Sequence, residues 1–190
     1  MGVLLSYITG SAFLYMDRLR MSPARFALVF GLGASGFIAA TQCNRLFLRR
    51  WSLEGITRTA VRCSLACCLV LNGLLIGGNV SFAPIFGILV LLQASLGCAF
   101  PNVGALVFAT VREAAGSASA VQGMLQSLVG AIAAALVARL GNGAVLPMAL
   151  VMAGFALGAS VLLRFAVPRR SVGQGPSEPS AAGDDPDSTG

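Results

Sequence analysis

The sequence has no histidine and no lysine. Zinc sites built on imidazole are therefore excluded, as are Ser-His and Cys-His catalytic pairs. Charge is scarce as well: 11% of residues are Asp, Glu, Lys or Arg, against roughly a quarter in soluble proteins. The middle of the apolar runs holds no charged residue. A proton relay within the membrane usually shows at least one such group, so this chain carries no coupling site that its sequence declares.

What is present is apolar. Hydrophobic residues make up 56% of the chain, too many for polar side chains to cover a water-soluble globule of this size. Lipid is the expected solvent. All thirteen cations are arginines, and the net charge is +6. They gather between apolar runs, so the basic balance gives no reason to expect a nucleic-acid partner. The five cysteines, Cys43, Cys63, Cys67, Cys68 and Cys98, lie in or beside apolar runs and read as small packing residues. Neither a metal nor an organic cofactor is expected, and no nucleophile–base pair points to an enzyme.

Read in order, the chain divides into six apolar stretches, about 3–16, 26–44, 60–78, 84–109, 117–138 and 145–163. The first is short for a hydrocarbon core of about 30 Å. It is expected to tilt poorly or to be cut short, and Met1 need not be the natural start. A signal peptide is the rival reading, but no basic residue precedes the apolar run. Ser22-Pro23 is a helix start, with Ser as cap and Pro in the first turn. Residues 44–62 read as a basic loop, and Gly77 to Ser81 followed by Pro84 as a turn. Arg112-Glu113 makes the next turn, and Arg139 to Gly143 the last. Residues 1–168 thus form an all-α, six-span transmembrane bundle. Residues 169–190, rich in Gly, Pro, Ser and Asp, form a disordered cytoplasmic tail.

Six spans place both ends on one side. Arg45, Arg49, Arg50, Arg58, Arg62, Arg112, Arg164, Arg169 and Arg170 collect on that side, against Arg18, Arg20, Arg25 and Arg139 on the other. The positive-inside rule then puts both termini in the cytoplasm.

Gly31 to Gly36 spells GxGxxG, with Glu54 placed where a ribose-binding acid belongs. No alternation of strands with amphipathic helices follows, and the glycines suit close helix packing. Small residues recur every four positions at Ser119, Gly123, Ser127, Ala131 and Ala135, and again at Gly73/Gly77 and Gly154/Gly158. Such ridges let backbones approach closely, so Ser119, Gly123, Ser127, Gly154 and Gly158 are expected to pack helices. The polar residues Gln42, Asn102, Gln122 and Gln126 lie at membrane depth, where lipid offers them no partner. Interhelical hydrogen bonding and cavity lining are both open to them.

The densest cluster of such features runs from Gly97 to Gln126. With Pro101-Asn102, then Ala115-Gly116-Ser117-Ala118-Ser119-Ala120, Gly123 and Gln126, it resembles the tenth and eleventh spans of Bcr/CflA-type drug-resistance transporters of the major facilitator superfamily. Ser11 to Tyr15 resembles the seventh span, which usually has Pro where Ala12 stands. Gln42-Cys43-Asn44-Arg45, ending in Arg49-Arg50, resembles the exit of the eighth. The likeness runs from about Val3 to Leu163 and matches the second half of such a transporter.

It implies a bacterial inner-membrane protein that exports drugs or small metabolites against protons, built as one six-helix half. Its partner would be an N-terminal six-span half, where the family places much of its proton chemistry, or a second copy. Tyr7, Ser11, Tyr15, Asn102, Gln122 and Gln126 are the candidate cavity residues. The alternative is a truncated, non-transporting fragment or a six-span membrane scaffold.

Overall fold

The computed structural model describes residues 1–78, 81–110, 115–140 and 145–166. The described residues form six helices and no strand. They are α1 (Gly2–Ala12), α2 (Pro23–Phe47), α3 (Leu53–Ile76), α4 (Phe82–Thr110), α5 (Ala115–Leu140) and α6 (Leu146–Ala166). The expected turns at Asn79-Val80, Arg112-Glu113 and Gly141-Asn142-Gly143, and the tail 169–190, lie outside the described residues.

Five helices, α2 to α6, are long and apolar enough to cross a membrane. The first is not among them. α1 has 11 residues, about 16 Å at 1.5 Å per residue. It runs on into a π-helical turn, Phe13–Arg18, in which Leu19 N–H donates to the Leu14 carbonyl at 3.1 Å and Met21 N–H to Tyr15 at 3.0 Å. That wide turn, followed by Arg20 at φ 52°, turns the chain toward α2.

Local chemistry sets several ends. Ser22 caps α2, its hydroxyl accepting from the Arg25 N–H at 3.4 Å with Pro23 just inside. Ser52 caps α3 in the same way, through the Gly55 N–H at 3.2 Å. Gly78, at φ 70°, ends the chain's run out of α3 in a conformation that favours glycine.

The basic loop expected at 44–62 is mostly helix. Only residues 48–52 link α2 to α3, so Arg45 lies on α2 and Arg58 and Arg62 lie on α3. Charge misled the reading here: arginines at helix ends extend their heads toward water while their backbone stays helical.

Packing follows a simple pattern. α2 packs chiefly on α4, and α5 chiefly on α1. α3 packs on α4 and α6 on α1, and α3 and α6 pack on each other. Exchanging α1–α3 with α4–α6 leaves this pattern unchanged. The core is drawn chiefly from α1 and its π-helical turn, α3, α4 and α6, with Tyr7, Leu14, Leu71, Leu89, Met148 and Met152 fully enclosed. α2 and α5 lie outermost: 6% and 17% of their apolar windows are buried, against 44% for α4. Leu28, Leu32, Met124 and Leu162 are each 60% or more exposed, an outside as apolar as the inside.

Candidate functional site

The most polar contact in the bundle is the seam between α2 and α4. It begins with a missing donor. Pro101, inside α4, has no N–H to give to the carbonyl four residues back, at Gly97. The Thr41 hydroxyl of α2 reaches that carbonyl at 3.0 Å while also facing its own Phe37 carbonyl at 2.9 Å. Its approach depends on Gly97, where an added Cβ would strike the Phe37 carbonyl.

One turn further along, Asn44 and Asn102 form a reciprocal amide pair. Asn44 Nδ2 donates to Asn102 Oδ1 at 2.7 Å, and Asn102 Nδ2 to Asn44 Oδ1 at 3.0 Å. Asn102 is 1% exposed and Asn44 3%. The Cys98 thiol adds a weak bond to the Ala40 carbonyl at 3.6 Å, and Phe37 meets Phe100 edge to face with centroids 6.1 Å apart. In a medium without water, each of these polar groups needs a protein partner, and here each finds one.

Of the expected cavity residues, Tyr7, Ser11 and Tyr15 are enclosed within the bundle. The Tyr7 ring stacks on Phe30 of α2 at 5.8 Å, and Tyr15 tilts against Phe26 at 5.9 Å. The two tyrosine hydroxyls lie near each other. Ser11 returns its hydroxyl hydrogen to the Ile8 carbonyl at 2.9 Å. Tyr7 and Tyr15 thus pack α1 and its π-helical turn against α2, while the Ser11 hydroxyl serves its own helix. Asn102 belongs to the seam.

Gln122 reaches across from α5 to α4, its Nε2 lying 3.7 Å from where a Gly104 Cβ would stand. Its Oε1 is buried without a protein partner. Gln126 lies one turn further along α5, half-buried. Gln42 is exposed.

The small-residue ridges do not pack in this chain. Ser119, Gly123, Ser127, Gly154 and Gly158 are all exposed, and nothing lies within 4 Å of a Cβ built on Gly123, Gly154, Gly158 or Gly73. The close approaches occur at other glycines: Gly97 on Phe37, Gly10 on Met148, Gly2 on Phe155 and Gly130 on Leu5. Four-residue spacing finds a smooth face but does not say which face a neighbour takes. The GxGxxG at Gly31 to Gly36 lies inside the unbroken helix α2, without the strand-to-helix turn a dinucleotide site needs.

Sequence reasoning missed four polar groups. Thr41 and Asn44 were obscured by their place near a charged stretch. Asn72, which donates to Cys68 at 2.8 Å and across to Ala149 of α6 at 2.8 Å, and Gln93, 5% exposed, both stand in the charge-free run 63–111. A polar side chain there was itself the signal, since lipid would leave it unsatisfied. The Asn72 Oδ1 and Gln93 Oε1 are buried without protein partners. The described site therefore consists of amides and hydroxyls that can bind by hydrogen bonds. Comparisons with protein-family models, with curated proteins and with solved structures find no match.

Proposed function

We propose that this chain is an integral membrane protein and serves as one six-span half of a proton-driven exporter of drugs or small metabolites. The observation that carries the reading is that the packing pattern is unchanged when α1–α3 are exchanged with α4–α6. Transporter halves are commonly built from two three-helix repeats of inverted topology, which would give such a pattern, with substrate sites near the repeat interface. In this reading α1 and its π-helical turn together make the sixth, thinnest crossing, and both termini face the cytoplasm of a bacterial cell.

Two further observations support it. α2 and α5 occupy equivalent positions in the two triplets and are the barest helices. They are the faces a second six-span half, or a second copy, would cover. Gln122, with its unpartnered Oε1, stands with Gln126 on α5, where an amide acceptor and donor can hold a polar substrate group between the halves. Asn102 would act from within, by setting the α2–α4 contact. Protons would be handled by groups of the other half, since the carboxylates Asp17, Glu54 and Glu113 all stand at the ends of apolar runs.

The test is accumulation of a fluorescent drug in cells expressing this chain, with and without a separately expressed N-terminal half. Lowered accumulation that needs both halves supports the proposal. Gln126→Ala should then weaken export at unchanged expression. Undiminished accumulation with both halves present at the membrane would sink the proposal and favour a non-transporting scaffold.

A further inference from the structure

α3 and α6 pack together, but at the end where α3 begins and α6 finishes they leave a groove of about 380 Å³. Its residues change character along its length. On α3, Arg58 and Arg62 are followed one and two turns on by Leu65 and Leu69. On α6, Arg164 stands at the same end as the α3 arginines, with Val161 and Leu157 further in. Three guanidinium groups therefore stand at the mouth and aliphatic side chains line the interior, over about 16 Å of helix from residue 58 to residue 69. Leu69 is 57% exposed and Leu157 55%, so the apolar end opens sideways out of the bundle. Neither carboxylate among the described residues, Asp17 or Glu54, lines the groove. Arg58 is engaged by another residue of the chain. Arg62 and Arg164, both exposed, come from opposite walls.

We propose that this groove binds an anionic phospholipid, with its phosphate between Arg62 and Arg164 and an acyl chain along Leu69 and Leu157. The chemistry asks for both parts. A guanidinium fork matches two phosphate oxygens, which a point charge does not. A free phosphate would use the mouth and leave the aliphatic length uncovered, whereas a lipid covers both. Basic pockets between membrane helices on the cytoplasmic side take anionic headgroups in this way, and the arginine count places this end there. Bound lipid would tie α3 to α6, one of the contacts that join the two helix triplets. The inference rests on the membrane reading above and is independent of transport.

The test is native mass spectrometry of the full chain released from nanodiscs that mix phosphatidylglycerol with phosphatidylcholine. The wild-type chain should retain phosphatidylglycerol selectively. Arg62→Gln/Arg164→Gln should weaken that retention about twenty-five-fold, from about fivefold for each headgroup contact. Arg139→Gln, at the other end of the bundle, should leave it unchanged. Arg62→Lys/Arg164→Lys should fall between, since it keeps charge and loses the fork.

Far-UV circular dichroism in phosphatidylcholine checks that each variant folds. If the glutamine pair unfolds, the lysine pair and Arg164→Gln alone carry the comparison. Equal retention by the wild type and the folded variants overturns the site. So does phosphatidylcholine held as tightly, or glycerol phosphate competing at the lipid's own affinity. A chain that stays soluble without detergent overturns the membrane reading itself, a distinguishable failure.

Discussion

Thr41→Val tests whether the α2–α4 seam exists because of Pro101. The substitution preserves shape and removes only the hydroxyl that serves the Gly97 carbonyl at 3.0 Å. With Pro101 present, that buried carbonyl then has no donor. A buried acceptor left unpaired costs about 1–3 kcal/mol, while interhelical bonds in membrane proteins average about 0.6 and reach about 1.7 kcal/mol. The expected loss is about 1 kcal/mol, a fivefold change in the unfolding equilibrium constant. In a Pro101→Ala background the new N–H serves the same carbonyl from within α4, and Thr41→Val should cost near zero.

The four proteins of this double-mutant cycle would be unfolded reversibly in mixed micelles of rising SDS content and followed by circular dichroism. Thr57→Val supplies the control, because the Thr57 hydroxyl bonds only its own helix, at Leu53, at 2.7 Å. A Thr41–Pro101 coupling below about 0.3 kcal/mol, within the error of additivity, would refute the account. So would an equal coupling at Thr57.

The amide pair gives a second cycle. Asn102→Leu alone strands the Asn44 amide and should cost about 2 kcal/mol, while Asn44→Leu/Asn102→Leu should cost less than the single change, as measured by the same unfolding titration. Glycines should divide by environment. Gly97→Ala drives a methyl into the Phe37 carbonyl and should destabilise by about 1–3 kcal/mol, whereas Gly123→Ala meets open space and should stabilise α5 by up to about 1 kcal/mol. If the proposed second half covers this ridge, bulk at Gly123 should instead lower export. Reporter fusions at the two ends should report one compartment if α1 crosses the bilayer. Opposite compartments would mean that only the five long helices cross.

The helices themselves were legible because a single physical quantity decides them. Apolar runs of membrane length must bond their own backbone, and that requirement alone predicts α2 to α6 to within a few residues, apart from the early start of α3. Asn102 was legible for the same reason, as a polar group in a place without water. What could not be read was direction. Asn44 faces α4 while Gln42, two residues earlier, faces outward. Gly97 touches a neighbour's backbone while Gly123 touches nothing. Tyr7, Ser11 and Tyr15 carry cavity-like polarity yet close on each other, on α2 and on their own helix.

Composition and run length determined the number and length of the apolar helices, because unpaired backbone away from water is costly at every residue alike. The partner each side chain takes was decided only in three dimensions. A helix offers all its faces to every neighbour, and the choice among them depends on which contacts fit across the whole bundle. The pairing of Thr41 with a carbonyl made vacant by Pro101, 60 positions away, belongs to that second kind.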